Sequence, residues 1–164
     1  MEIAARFLAT RPRTRWELER RLRRGGATEE VVASTLERLV VIGQADDLAF
    51  ARWWAQQRDQ HAPRGQRLVE AELRQRGVPR DVIEELRAEL SAEGEAVDSH
   101  AGLPRTEAER ATMALERHLR GRPLPDDPKA LQRIGVFLVR RGFDPETVRA
   151  TIRAAARAAA DAEA

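Results

Sequence analysis

Apolar residues recur along this chain at intervals of three and four. No stretch alternates apolar and polar residues as a half-buried strand would. The pattern predicts nine helices, over residues 2–10, 15–24, 29–42, 47–61, 65–76, 80–91, 106–120, 129–141 and 146–161. Several ends carry a physical signal. Thr14 and Glu17 have the T-x-x-E spacing of a capping box, in which hydroxyl and carboxylate each take an orphan backbone N–H. Thr28 is placed to cap the third helix, with Glu29 and Glu30 favouring its positive end. Gly43 ends that helix, Asp46 caps the fourth, and Asp144 followed by Pro145 opens the ninth.

The pattern also repeats on a longer scale. Leu18, Leu22 and Gly26 align with Val69, Leu73 and Gly77 at a shift of 51, and these with Ile134, Leu138 and Gly142 at a shift of 65. A small or apolar residue follows each glycine (Ala27, Val78, Phe143), an acid comes four residues after it (Glu30, Asp81, Glu146) and an aliphatic residue six after (Val32, Ile83, Val148). The unit is helix, glycine turn, helix, and the first, fourth and seventh helices complete three units of three. The expected fold is all-α: three tandem three-helix repeats at 1–43, 44–91 and 106–164. Each unit is too small to bury its own core, so neighbours must stack, which predicts an elongated, curved molecule. Residues 92–105 lack periodicity and read as a linker; 121–128, with Gly121 and three prolines, reads as a surface loop.

Composition narrows the chemistry. The 164 residues hold 29 basic and 27 acidic side chains and no cysteine, which excludes disulfides, a thiol nucleophile and thiolate metal sites. No uncharged apolar run is long enough to span a membrane, and Met1 to Thr10 lacks the apolar core of a signal peptide, so a cytoplasmic location is expected. Lys129 is the only lysine; the basic side is otherwise arginine, whose charge cannot be titrated away. A GC-rich genome produces the same bias, and a functional basic surface can coexist with it. His61, His100 and His118 share no metal-ligand spacing. Ser34, Ser91 and Ser99 sit in no nucleophile turn, and neither a P-loop nor a G-x-G-x-x-G occurs. With no nucleophile, base and orienter in view, the chain reads as a non-enzyme with no cofactor and no metal.

The arginines remain. Arg13 and Arg15 stand at the start of the second helix and Arg20 and Arg24 towards its end; Arg64 and Arg67 open the fifth, Arg74 and Arg76 close it, and Arg140 and Arg141 close the eighth. Every repeat thus carries arginines just before its glycine turn. Two readings stand: cations favour a helix C-terminus for local reasons, and stacked repeats would line these ten up as a basic stripe for phosphate or an acidic protein surface. Phe50, Trp53 and Trp54 share one helix face, where they serve either as core or as a partly exposed anchor; the same choice applies to Trp16.

These residues resemble a known family. The runs RTRWELERRLRRGG (13–26), GQADDLAFARWWAQQR (43–58), PRGQRLVEAELRQRGV (63–78) and FLVRRGFDPETV (137–148) are similar to the successive signatures of RecX proteins. The resemblance covers about residues 3–152. One departure is Gln44 and Ala45, where the family carries two larger residues after the glycine. The resemblance implies three tandem three-helix units and binding to the RecA recombinase filament. It implies modulation, usually inhibition, of recombinase, ATPase and coprotease activity in DNA repair and the SOS response. The proposed route is insertion into the groove of the RecA–DNA filament, with no catalytic residue and no cofactor. The expected partners are that filament and, without sequence preference, single- or double-stranded DNA; the expected state is a monomer. Two alternatives stay open: a helical DNA-binding protein independent of RecA, and a helical-repeat adaptor. The third, sixth and ninth helices offer no Asn or Gln to read bases, and an adaptor would not depend on nucleic acid.

Overall fold

The computed structural model describes residues 1–93 and 106–163. Among these, the chain forms nine helices and no strand: α1 (Glu2–Leu8), α2 (Arg15–Arg24), α3 (Glu29–Val41), α4 (Asp47–His61), α5 (Gln66–Gln75), α6 (Arg80–Glu93), α7 (Glu107–Leu119), α8 (Pro128–Arg140) and α9 (Pro145–Glu163). The fold is an all-α repeat. Helix α1 stops at Leu8, and α8 begins at Pro128, because Asp127 caps it and proline suits a first helical position. Of the expected linker, residues 92 and 93 end α6, and the remainder lies outside the described residues.

The repeated pattern has a repeated cause. Gly26, Gly77 and Gly142 lie at φ +82°, +75° and +89°, a left-handed conformation that costs a side chain about 1–2 kcal/mol. The residue after each glycine donates its N–H back to a leucine carbonyl: Ala27 to Leu22 (3.2 Å), Val78 to Leu73 (3.1 Å) and Phe143 to Leu138 (3.3 Å). Each glycine donates to the carbonyl of Arg23, Arg74 or Val139 in turn. This is the Schellman closure, and it satisfies carbonyls that a helix end otherwise leaves open. The aligned apolar positions are buried, from Leu18, Leu73 and Leu138 at 0 % exposure to Ile134 and Val148 at 5 %, except Ala27, which is partly buried.

The chain forms two compact units, one of residues 1–55 with 72–92, the other of 56–71 with 93–164. In the first, α1 and α3 pack on α2, around Ala4, Leu18, Leu22, Val32, Leu39 and Ala45. The small side chain of Ala45, one of the two residues that depart from the resembled signature, is part of this core. In the second, α7, α8 and α9 pack on one another around Leu115, Ile134, Leu138, Phe143 and Val148. Phe50 and Trp54 are buried and Trp53 half-buried, with ring centroids 5.7–6.0 Å apart, so the aromatic face of α4 is mostly core. Trp16 stays 37 % exposed.

Each unit contains the same joint between neighbouring repeats. In the first, the Thr14 hydroxyl donates to the Arg76 carbonyl (2.7 Å), and a Cβ on Gly77 would fall 2.5 Å from that of Trp16. In the second, the Gly65 N–H donates to the Arg141 carbonyl (2.9 Å), and a Cβ on Gly142 would fall 2.5 Å from that of Leu68. Residues 14, 76 and 77 correspond to 65, 141 and 142 under the shifts of 51 and 65. The start of one repeat's middle helix thus seats the glycine turn of the next. Stacking of neighbours, expected because no unit buries its own core, takes this form.

Candidate functional site

The ten arginines singled out above divide six to four: Arg13, Arg15, Arg20, Arg24, Arg74 and Arg76 in the first unit, and Arg64, Arg67, Arg140 and Arg141 in the second. Several are committed within the chain. Thr14 caps α2 through its hydroxyl, but the Glu17 carboxylate does not reach back to complete the expected box. It is held instead by Arg11 (2.9 Å) and by Arg76 (2.9 Å). The complete box is at Thr106 and Glu109, which have the same T-x-x-E spacing. Arg76 also lies 3.8 Å over the Trp54 ring, whose Nε1 donates to Glu72 (2.8 Å). Arg13 donates to the Phe7 carbonyl and the Thr10 hydroxyl and lies 3.8 Å over the Phe7 ring.

In this first joint one carboxylate sits among three arginines. Burial pushes the Glu17 carboxyl up, but the Arg11 hydrogen bond and the charges of Arg11, Arg76 and Arg13 outweigh it and hold the group below the usual carboxylate range. A depressed folded-state value stabilises the fold above the unfolded pKa, and that stability is lost as pH falls through the folded value. Glu17→Gln is therefore expected to cost about 2 kcal/mol near neutrality, with the gap from wild type closing below about pH 4. Urea unfolding followed by tryptophan fluorescence reads this directly, since Trp16, Trp53 and Trp54 all lie in the first unit. A gap independent of pH would remove Glu17 as the cause.

The second joint differs. Arg64 and Arg141 stand where the first joint has Arg13 and Arg76, but Leu68 stands where it has Glu17. Burial holds Arg64 below its ordinary value, and the nearby charges of Arg58 and Arg141 push the same way. Arg141 lies 4.8 Å from the Phe137 ring centroid and donates to the Pro63 carbonyl (3.2 Å).

Arg15, Arg20, Arg24, Arg67 and Arg140 are exposed and form no ion pair among the described residues; Arg20 lies 4.4 Å over Trp16. Among the described residues, no group of three or more His, Asp or Glu is placed to hold a metal, and no helix is long and apolar enough to cross a membrane.

Comparison with known proteins accounts for this architecture. Family models described as the first, second and third three-helix domains of RecX match residues 1–39, 46–92 and 106–152. The chain belongs to the RecX family. A regulatory protein RecX of Mycobacterium avium (strain 104) is 36 % identical over 141 residues, covering 86 % of this chain and 75 % of that one. A regulatory protein RecX of Chlorobaculum tepidum is 34 % identical over 152 residues, covering 93 % and 85 %. The crystal structure of RecX from Lactobacillus salivarius has the same fold, with a TM-score of 0.73 at 16 % identity over 93 % of this chain and 91 % of that one.

Against the RecX repeat, two features of this chain were not legible in the sequence. Arg110 is 1 % exposed inside the second unit, with its Nε 3.8 Å from Asp59, itself buried. Arg117, Arg120 and Arg122 gather beside Arg141 around one cleft. The signal for the cleft is the Arg-Gly-Arg run at 120–122, a basic helix end and glycine turn outside the triplicate register.

Proposed function

We propose that this RecX-family chain binds the RecA–DNA filament and lowers its recombinase, ATPase and coprotease activity, acting in the cytoplasm without catalytic chemistry of its own. The family match across all three repeats carries the reading. The charge distribution supports it. Arg15, Arg20, Arg24, Arg67 and Arg140 keep exposed charge outside any ion pair among the described residues, which suits phosphate or an acidic protein surface. Arg74 and Arg64 belong to the same contact set, while Arg13, Arg76 and Arg141 serve it from within the joints.

The test is DNA-dependent ATP hydrolysis by RecA from the same source, with this protein titrated in below one molecule per RecA. A fall in rate is expected. An unchanged rate, with the added protein shown by circular dichroism to be helical, overturns the proposal.

A further inference from the structure

We infer that the second unit contains a phosphate-binding cleft for the backbone of single-stranded nucleic acid, built by Arg117, Arg120, Arg122 and Arg141 with His61 and His118 in its wall. It deepens the reading above and rests on it for the class of polyanion. The cleft encloses about 380 Å³, and no acidic residue lines it.

What sets these arginines apart is how they are held. Arg117 donates to the Gln60 carbonyl (3.0 Å), Arg122 to that of Leu119 (3.1 Å) and Arg141 to that of Pro63 (3.2 Å). A neutral carbonyl orients a guanidinium without cancelling its charge, and it leaves other N–H groups of the fork to point elsewhere. Several guanidiniums elsewhere are neutralised instead: Arg76 by Glu17, Arg23 by Glu19 and Glu29, Arg52 by Glu89. None of the four cleft arginines has a carboxylate partner among the described residues. For Arg141 the reason lies in the repeat, since Leu68 replaces the acid that balances its counterpart Arg76.

A concave wall of one sign focuses its field and draws in the opposite charge. Arginine forks match phosphate oxygens two at a time. The Phe137 ring in the wall is already engaged, by His118 with centroids 4.1 Å apart and by Arg141, so the cleft offers charge more than an open face for bases. Little base preference follows. A flexible single strand can bend its phosphates into a concavity, whereas duplex phosphates lie on a stiff convex cylinder.

The experiment is fluorescence anisotropy of a labelled oligothymidylate of about 20 nucleotides with the full chain, titrated over salt. The variant Arg117→Gln/Arg122→Gln is compared with Arg149→Gln/Arg153→Gln, which removes the same charge from exposed positions on α9. The cleft variant is expected to lose about tenfold in affinity at about 0.1 M salt, its log–log salt slope falling by about 1.4, or about 0.7 per lost phosphate contact. The α9 variant is expected to change less than about twofold. Equal losses in both variants, or none in either, overturn the cleft. Equal binding of a duplex through the same pair overturns the single-strand assignment, as does displacement of the strand by equimolar inorganic pyrophosphate. Because no recombinase is present, failure here is distinguishable from failure of the ATPase experiment.

Discussion

Replacing Arg110 with alanine is expected to lower the unfolding free energy by about 3–5 kcal/mol. The guanidinium and Asp59 are both out of solvent, with side-chain exposures of 1 % and 5 %. At 3.8 Å their closest approach is an ion contact without a hydrogen bond, and the Nε and Nη1 of Arg110 have no hydrogen-bond partner. Burial pulls the Arg110 pKa down, while Asp59, Glu107 and Glu109 pull it up, and the net effect is downward. An arginine does not escape by losing its proton, so the opposing carboxylates are what make its burial tolerable. Alanine would remove the cation that faces Asp59 in the interior and leave a void where a long side chain had been. The double change Arg110→Met/Asp59→Leu removes both charges while keeping volume, and is expected to recover most of the loss. Urea unfolding followed by far-ultraviolet circular dichroism measures all three proteins. A loss under about 1 kcal/mol for Arg110→Ala would mean that water reaches the pair.

Gly65→Ala is expected to cost about 3 kcal/mol or more, because the atoms in the way belong to backbone. A Cβ there would lie 2.1 Å from the carbonyl carbon of Gly142 and 2.2 Å from both its oxygen and the Phe143 nitrogen. A flexible side chain could turn aside, but a Schellman turn that closes a helix cannot. Separation of the two segments would also break the Gly65 N–H bond to the Arg141 carbonyl. Gly121→Ala is the control. Gly121 lies at φ +76° with nothing within 4 Å of an added Cβ, so only the backbone penalty of about 1–2 kcal/mol is expected. Hydrogen exchange over residues 56–71 and 128–148, beside the unfolding midpoint, would locate the damage. Equal costs for the two alanines would show that the close approach is not what makes glycine necessary at position 65.

The local part of this architecture was readable from the chain. The Leu–Gly–acid pattern reports a helix end, a left-handed turn and a helix start, each fixed by residues within one turn of each other. What escaped depends on partners far along the chain. Thr14 and Glu17 read as a capping box, yet Glu17 has two better cations within reach, Arg11 and Arg76, the latter 59 residues away. Gly65 stood in a resembled signature run with no role of its own, and its necessity comes from Gly142. Arginine is usually exposed, so nothing in the residue type marks Arg110, although the neighbouring Ala111, Ala114 and Leu115 place it on the buried side of α7. The ten candidate arginines could be named by position, but sequence cannot tell a charge already spent on Glu17 from one still exposed to solvent.

Residues 56–71 pack with the third repeat, so a cut just before α7 would divide a compact unit. A fragment starting at residue 106 would keep Arg110 but leave Asp59 behind, and keep the Gly142 turn but lose the Gly65 that seats it. The first repeat, excised alone, would likewise part Thr14 and Glu17 from Arg76. The motif that recurs and the bodies that fold do not coincide, since the middle repeat is shared between the two units, which divide within α4 and α5. Chimaeras between RecX relatives would therefore join more naturally at crossovers near residues 55 and 71, inside helices, than at the repeat boundaries.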